Sequence, residues 1–116
     1  MVVDLLLAPQ ADDVFHALAD ATRRDIVEQA LVGDHSVSAL ARRYPMSVTA
    51  VQKHVAVLEA AGLVTKHRQG REQIVRSNLE PIRRAQKLLE QLEVLWRARI
   101  DQIGELLAED TQEGTI

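Results

Sequence analysis

The stretch Ser47-Val-Thr-Ala-Val-Gln-Lys-His-Val-Ala-Val-Leu-Glu-Ala-Ala-Gly62-Leu-Val decides how this chain is read. Ser47 is a residue type that caps helix N-termini, because its hydroxyl accepts from N–H groups that have no partner within the helix. Val51, Val55 and Leu58 follow at i, i+4, i+7 and therefore share one buried face. Val48, Thr49, Gln52, Lys53 and Ala56 lie opposite, small or hydrogen-bonding, with no bulky apolar group among them. Such a face suits a helix lying in a DNA major groove. After Gly62, Leu63-Val-Thr-Lys-His-Arg68 and Glu72-Gln-Ile-Val-Arg76 read as two short strands around the turn Gln69-Gly70-Arg71. A recognition-type helix running into a basic hairpin is the plan of a winged helix-turn-helix.

Upstream, Asp12 to Leu18 reads as a short helix with Val14, Phe15 and Leu18 apolar. Asp20-Ala21-Thr22 caps a second helix through Ile26, Val27, Ala30 and Leu31, ended by Gly33-Asp34. Ser36 caps a third, short helix with Val37, Leu40 and Ala41 inward, broken near Pro45. A short helix, a tight turn and a second helix with inward apolar positions form a helix-turn-helix over 36–62, with the wing at 63–77. The fold class is mainly α with a small β-hairpin, about five helices plus a two-stranded wing. The core domain spans 12–78, within a single domain of 1–116, and 1–10 and 110–116 read as flexible tails.

The last helix, 79–109, has Pro81 in its first turn and Asn78 as a nearby cap. At 1.5 Å per residue it is too long for so small a domain to cover. Ile82, Ala85, Leu89, Leu92, Trp96, Ile103 and Leu106 follow 3–4 spacing, interrupted by Arg99. Leu88, Leu95 and Leu107 form a second stripe beside it. One stripe can pack on the chain's own domain and the other needs a partner, most economically the same helix of a second copy. Leu88, Leu89, Leu92, Leu95, Trp96, Ile103 and Leu106 are the expected dimer contacts.

The 116 residues fit one domain, with 47% hydrophobic but only 3% aromatic residues, so the core is built from Leu, Val, Ile and Ala. Without cysteine there are no disulfides, thiolate metal sites or thiol catalysis. Met1 to Leu7 lacks the basic region of a secretory signal, and no stretch is long enough to cross a bilayer, so the expectation is a cytoplasmic protein without membrane contact. The net charge of -3 hides a segregation. Residues 1–41 carry -5 and 77–116 carry -3, whereas 42–76 carry +5 from Arg42, Arg43, Lys53, Lys66, Arg68, Arg71 and Arg76 against Glu59 and Glu72. DNA responds to that local field and not to the overall charge. No catalytic constellation, phosphate loop or nucleotide fingerprint is present, so no enzyme is expected.

Several stretches together resemble the ArsR-type winged-helix repressors. They are Ala17-Leu-Ala-Asp-Ala-Thr-Arg-Arg-Asp-Ile-Val27, Leu40-Ala41, Ser47 to His54, Leu58-Glu-Ala-Ala-Gly-Leu-Val64 and the wing Gly70-Arg71. The resemblance covers about residues 12–78, more loosely the terminal helix. It implies a homodimeric regulator, usually an autorepressor, that binds an inverted-repeat operator and is released by a signal. One metal site of that family uses Cys-Val-Cys on the third helix, where this chain has Ser36-Val37-Ser38. Another uses Asp and His on the terminal helix, which here holds no histidine. Serine is a poor ligand for soft metals, so neither metal nor cofactor is expected. Leu95-Trp-Arg-Ala-Arg-Ile-Asp101 resembles the dimerisation helix of the metal-independent branch.

Thr49, Gln52 and Lys53 are the candidate base readers, with Val48 against a thymine methyl and His54 at the shoulder of the helix. Arg68, Gln69 and Arg71 at the wing tip, with Arg42 and Arg43 at the end of the third helix, are candidate phosphate contacts that set register and affinity. Arg23 and Arg24 stand among acids, so DNA contact and ion pairing within the fold both remain open for them. The expected partners are an operator in double-stranded DNA, a second copy of the chain, and a small molecule or protein as signal. The rival reading is a winged-helix protein-interaction module acting through the terminal helix.

Overall fold

The computed structural model describes residues 9–113, and the side chains of residues 11–110. The residues read as an N-terminal tail lie outside this range up to residue 8. Helix α1 spans Pro9–Leu18, α2 Ala21–Val32 and α3 Val37–Ala41, with a two-residue strand β1, His35–Ser36, between the last two. Then come α4, Val48–Ala60, the hairpin β2, Val64–Gln69, and β3, Glu72–Ser77, and finally α5, Glu80–Glu113. The two strands of the wing pair as read, and β1 joins them in a three-stranded antiparallel sheet in the order β1-β3-β2. β1 pairs His35 with Val75 and Ser36 with Ile74. Two residues carry no period-2 pattern, so nothing in the sequence marked this strand.

Three caps set the helix starts. Asp20 accepts from the Arg23 N–H at 3.0 Å, Ser36 from Ala39 at 3.0 Å and Ser47 from Ala50 at 3.1 Å. The backbone N–H of Arg23, above all, also holds the Asp20 carboxyl below its ordinary pKa. At the other end of α4, Gly62 takes φ +76°; its N–H donates to the Glu59 carbonyl and that of Leu63 to the Leu58 carbonyl. This pairing is a Schellman stop, and it needs a left-handed residue. α1 starts at Pro9, whose fixed φ suits a first turn. α5 extends to Glu113, through residues read as tail.

The core gathers Val14, Ala17, Ile26, Val27, Leu40, Val51, Val55, Leu58, Leu63, Val64 and Val75. Phe15 and Leu31, apolar positions of α1 and α2, are exposed. The reason is rotation: Val14, Ala17 and Leu18 share one face of α1, and Ile26, Val27 and Ala30 share one face of α2. Phe15 stands about 100° from Val14, and Leu31 about 140° from Ile26.

The terminal helix corrects the two-stripe expectation. At 100° per residue, its apolar side chains from Pro81 to Leu107 fall on one arc roughly 140° wide, with Val94 and Ala98 outside it. The fold divides this arc along the helix and not around it. Pro81, Ala85 and Leu88 are buried against the chain's own domain. Leu88, read as a partner contact, is only 8% exposed, whereas Trp96 is 63% exposed. Every described residue from Leu92 onward is exposed. The 34-residue helix is about 51 Å long at 1.5 Å per residue. It projects from the domain, giving a radius of gyration of 21.4 Å where a compact chain of this length has about 13 Å.

Candidate nucleic-acid interface

On α4, the burial of Val51, Val55 and Leu58 turns Val48, Thr49, Gln52 and Lys53 to the surface. Beside them stands the hairpin, whose two central turn residues are Gly70, at φ +65°, and Arg71. A positive φ at the first central position alone is the pattern of a type II′ turn, whose twist matches that of the strands. Directly opposite residues of an antiparallel pair share a face. Val64 opposes Ser77, Lys66 opposes Val75 and Arg68 opposes Gln73. Val64 and Val75 lie in the core, and Lys66 reaches Glu59 of α4 at 3.4 Å. Arg68 continues that row, on the α4 side of the wing, while Gln69 lies on the other face with His67. The His67 ring is tied to the Thr65 hydroxyl at 2.9 Å.

The seven cations of residues 42–76 divide into two groups. Arg43 makes two contacts to the Asp25 carboxylate, at 2.6 and 3.2 Å, and the Tyr44 hydroxyl donates to the same group at 2.6 Å. The Arg43 hydrogen bond, then that of Tyr44, hold the Asp25 carboxyl below its ordinary pKa. Arg76 pairs with Asp34 at 3.1 Å, and Lys66 with Glu59. Arg42, Lys53, Arg68 and Arg71 are exposed, and among the described residues their side chains carry no hydrogen bond or ion pair. Within this segment, positive charge not neutralised by a neighbour is thus confined to the end of α3, the outer face of α4 and the wing.

Two sequence candidates are engaged inside the fold. Arg43 belongs to the Asp25 cluster, which ties α2 to the turn between α3 and α4. His54 is half-buried, and its Nδ1 accepts from Arg23 Nη1 at 3.3 Å. Arg23 also donates Nε to the Ala17 carbonyl at 2.7 Å and Nη2 to the His16 carbonyl at 3.1 Å. Arg24 Nη1 donates to the Leu18 carbonyl at 2.8 Å. For both arginines the structure shows an arrangement outside ion pairing: they cap the carbonyl end of α1, and Arg23 also ties it to α4. Sequence reasoning looked for charged partners, and nothing in the sequence marks a carbonyl as an acceptor.

No family model matches the chain. The helix-turn-helix-type transcriptional regulator YuzN of Bacillus subtilis (strain 168) is 38% identical over 79 residues, 62% of this chain and 86% of that protein. An ArsR-like transcriptional regulator from Rhodococcus sp. RHA1 superposes with a TM-score of 0.79 at 33% identity, covering 86% of this chain and 92% of that one. The chain belongs to the ArsR family of transcriptional regulators. A homodimeric winged helix-turn-helix DNA-binding domain of Mycobacterium bovis, a possible ArsR-family regulator, matches this family member with TM-score 0.59 and 26% identity, over 85% of each chain. In this ArsR-family chain Ser36, at the first position of the family's Cys-Val-Cys motif, spends its hydroxyl as the N-cap of α3.

Proposed function

We propose that this ArsR-family chain is a homodimeric, sequence-specific DNA-binding repressor that recognises an inverted-repeat operator and works without metal sensing. The observation that carries the reading is the coincidence of unpaired charge and uncommitted polar side chains. Thr49, Gln52 and Lys53 would read base edges and Val48 a thymine methyl, since Gln pairs bidentately with adenine and Lys reaches guanine acceptors. Arg42, Arg68 and Arg71, with Gln69, would hold phosphates or the minor groove. Arg43 and His54 would act indirectly, by fixing the turn before α4 and the seat of α4 on α1. A protein-interaction module would place bulky apolar groups on the outer face of α4, and that face carries no apolar side chain larger than Val48.

Dimerisation is supported by the uncovered length of the α5 arc, Leu89, Leu92, Leu95, Trp96, Ile103 and Leu106. An apolar face that its own domain leaves in water is stabilised by a second copy. Two recognition helices would then enter successive major grooves about one helical turn apart. The metal-free reading rests on the chemistry of Ser36 and Ser38 and on a terminal helix without histidine.

Fluorescence anisotropy on DNA from the protein's own upstream region, against scrambled DNA, over a salt series and with and without chelator, tests this function. Selective, salt-steep binding unaffected by chelator is expected, and sedimentation should give two chains per particle. Equal affinity for both DNAs, or loss of binding with chelator, would overturn it.

A further inference from the structure

A cavity of about 240 Å³ lies where α1, the end of α4 and the start of α5 meet. Its wall is apolar and made of small side chains, with Ala60, Ala61 and Pro81 among them, while Asp13, Asn78 and Arg84 bring polar groups. Two features give it a direction. The C-terminus of α4 puts the negative end of a helix dipole on one side, and Asp13 of α1 adds a carboxylate. The N-terminus of α5 puts a positive end on the other, and Arg84 adds a guanidinium. Asp13 and Arg84 are not ion-paired with each other, and among the described residues Asp13 has no partner. Arg84 reaches only Glu80, at 4.0 Å and half in solvent. Asn78 spends its Oδ1 on the Glu80 N–H, leaving the amide –NH2 to donate.

We propose that this cavity is an effector site for a small aliphatic zwitterion of the α-amino-acid type, its ammonium held by Asp13 and the carbonyl end of α4, its carboxylate by Arg84 and the Asn78 amide. The apolar side chain would lie over Ala60, Ala61 and Pro81. At about 30 Å³ per water the volume equals roughly eight waters, which suits a ligand of about eight to ten heavy atoms. An acid and a guanidinium at the edge of one small apolar wall select a molecule that carries both charges, and reject a simple acid or amine that leaves one protein charge unanswered.

The position gives binding a consequence. The Asn78 N–H donates to the Leu63 carbonyl at 2.9 Å, and a Cβ on Gly62 would stand 3.5 Å from Pro81 Cγ. The end of the recognition helix and the root of the projecting helix are thus in contact at the cavity. A ligand wedged there alters the angle between them, and with it the separation of two recognition helices. This last step rests on the DNA-binding reading above; the binding site itself does not.

The test is calorimetry of the full chain with the aliphatic amino acids from alanine to leucine, and with 4-methylpentanoate and 3-methylbutylamine, which lack the ammonium and the carboxylate respectively. At least one amino acid should bind with a Kd below about 1 mM. Each one-charge analogue should bind at least tenfold more weakly. Asp13→Asn, Arg84→Gln and Ala60→Leu, which occupies the void, should each lose binding, and Arg83→Gln should keep it; circular dichroism checks that all four fold. No binding by any of the amino acids at 10 mM, or binding unchanged in both charge variants, overturns the proposal. Anisotropy on the same samples without amino acid keeps the two readings apart: failure to bind DNA would sink the function proposed above and leave the calorimetry to decide the site.

Discussion

Replacing Arg68 and Arg71 together with glutamine tests the division of cations at the interface. Binding to B-DNA loses about 0.9 of a decade of affinity per decade of salt for each phosphate neutralised. Four unpaired cations per chain, Arg42, Arg68 and Arg71 at phosphates and Lys53 in the groove, where its charge also displaces counterions, give in a dimer a log–log slope of about -7. Affinity should therefore fall by roughly four decades between 50 and 200 mM salt. The double variant removes half of these contacts, so its slope should be about -3.6 and the fall over the same range roughly two decades. Arg76→Gln and Arg43→Gln should leave the slope unchanged, because Asp34 and Asp25 already hold those charges. The assay is anisotropy on operator DNA at several salt concentrations. A wild-type slope near -13 would mean that Arg43, Lys66 and Arg76 leave their acids for phosphates. That result, or an Arg76→Gln variant as shallow as the double one, would refute the division.

Gln52→Ala should relax sequence preference at one base pair by about 1–3 kcal/mol while leaving binding to random DNA and the salt slope unchanged, as measured by competition with single-substituted operators. Asp25→Asn should flatten the acid limb of stability. Because the folded carboxyl is lowered by Arg43 and Tyr44, its contribution is present above the ordinary carboxylate value of about 3.9 and is lost as pH falls through the lowered one. Thermal melts from pH 7 to pH 3 should thus show a smaller loss in the variant, and parallel curves would contradict the cluster. Gly62→Ala should cost about 1–2 kcal/mol in chemical denaturation, since alanine is strained at φ +76°. An unchanged midpoint would mean that the turn re-forms with another geometry.

Local signals were enough for most of the fold. The caps Asp20, Ser36 and Ser47, the stop at Gly62 and the Val51–Val55–Leu58 face each depend on residues within a few positions of one another, so a linear reading finds them. The segregation of positive charge into 42–76 was equally legible, because it is a count along the chain.

Partnerships between distant residues were not. Which of the seven cations are spent depends on where α2 and the segment before β1 bring Asp25 and Asp34. The placement of Arg23 against the Ala17 and His16 carbonyls and His54 joins three helices at once. The terminal helix makes the distinction most clearly. Sequence periodicity determined that it is a helix with a broad apolar arc, since 3.6 residues per turn is a property of the backbone alone. Only the tertiary structure decided that Leu88 belongs to the chain's own domain while Leu92 and Trp96 do not. That choice is set by how far α1 reaches along α5, a distance no local pattern encodes.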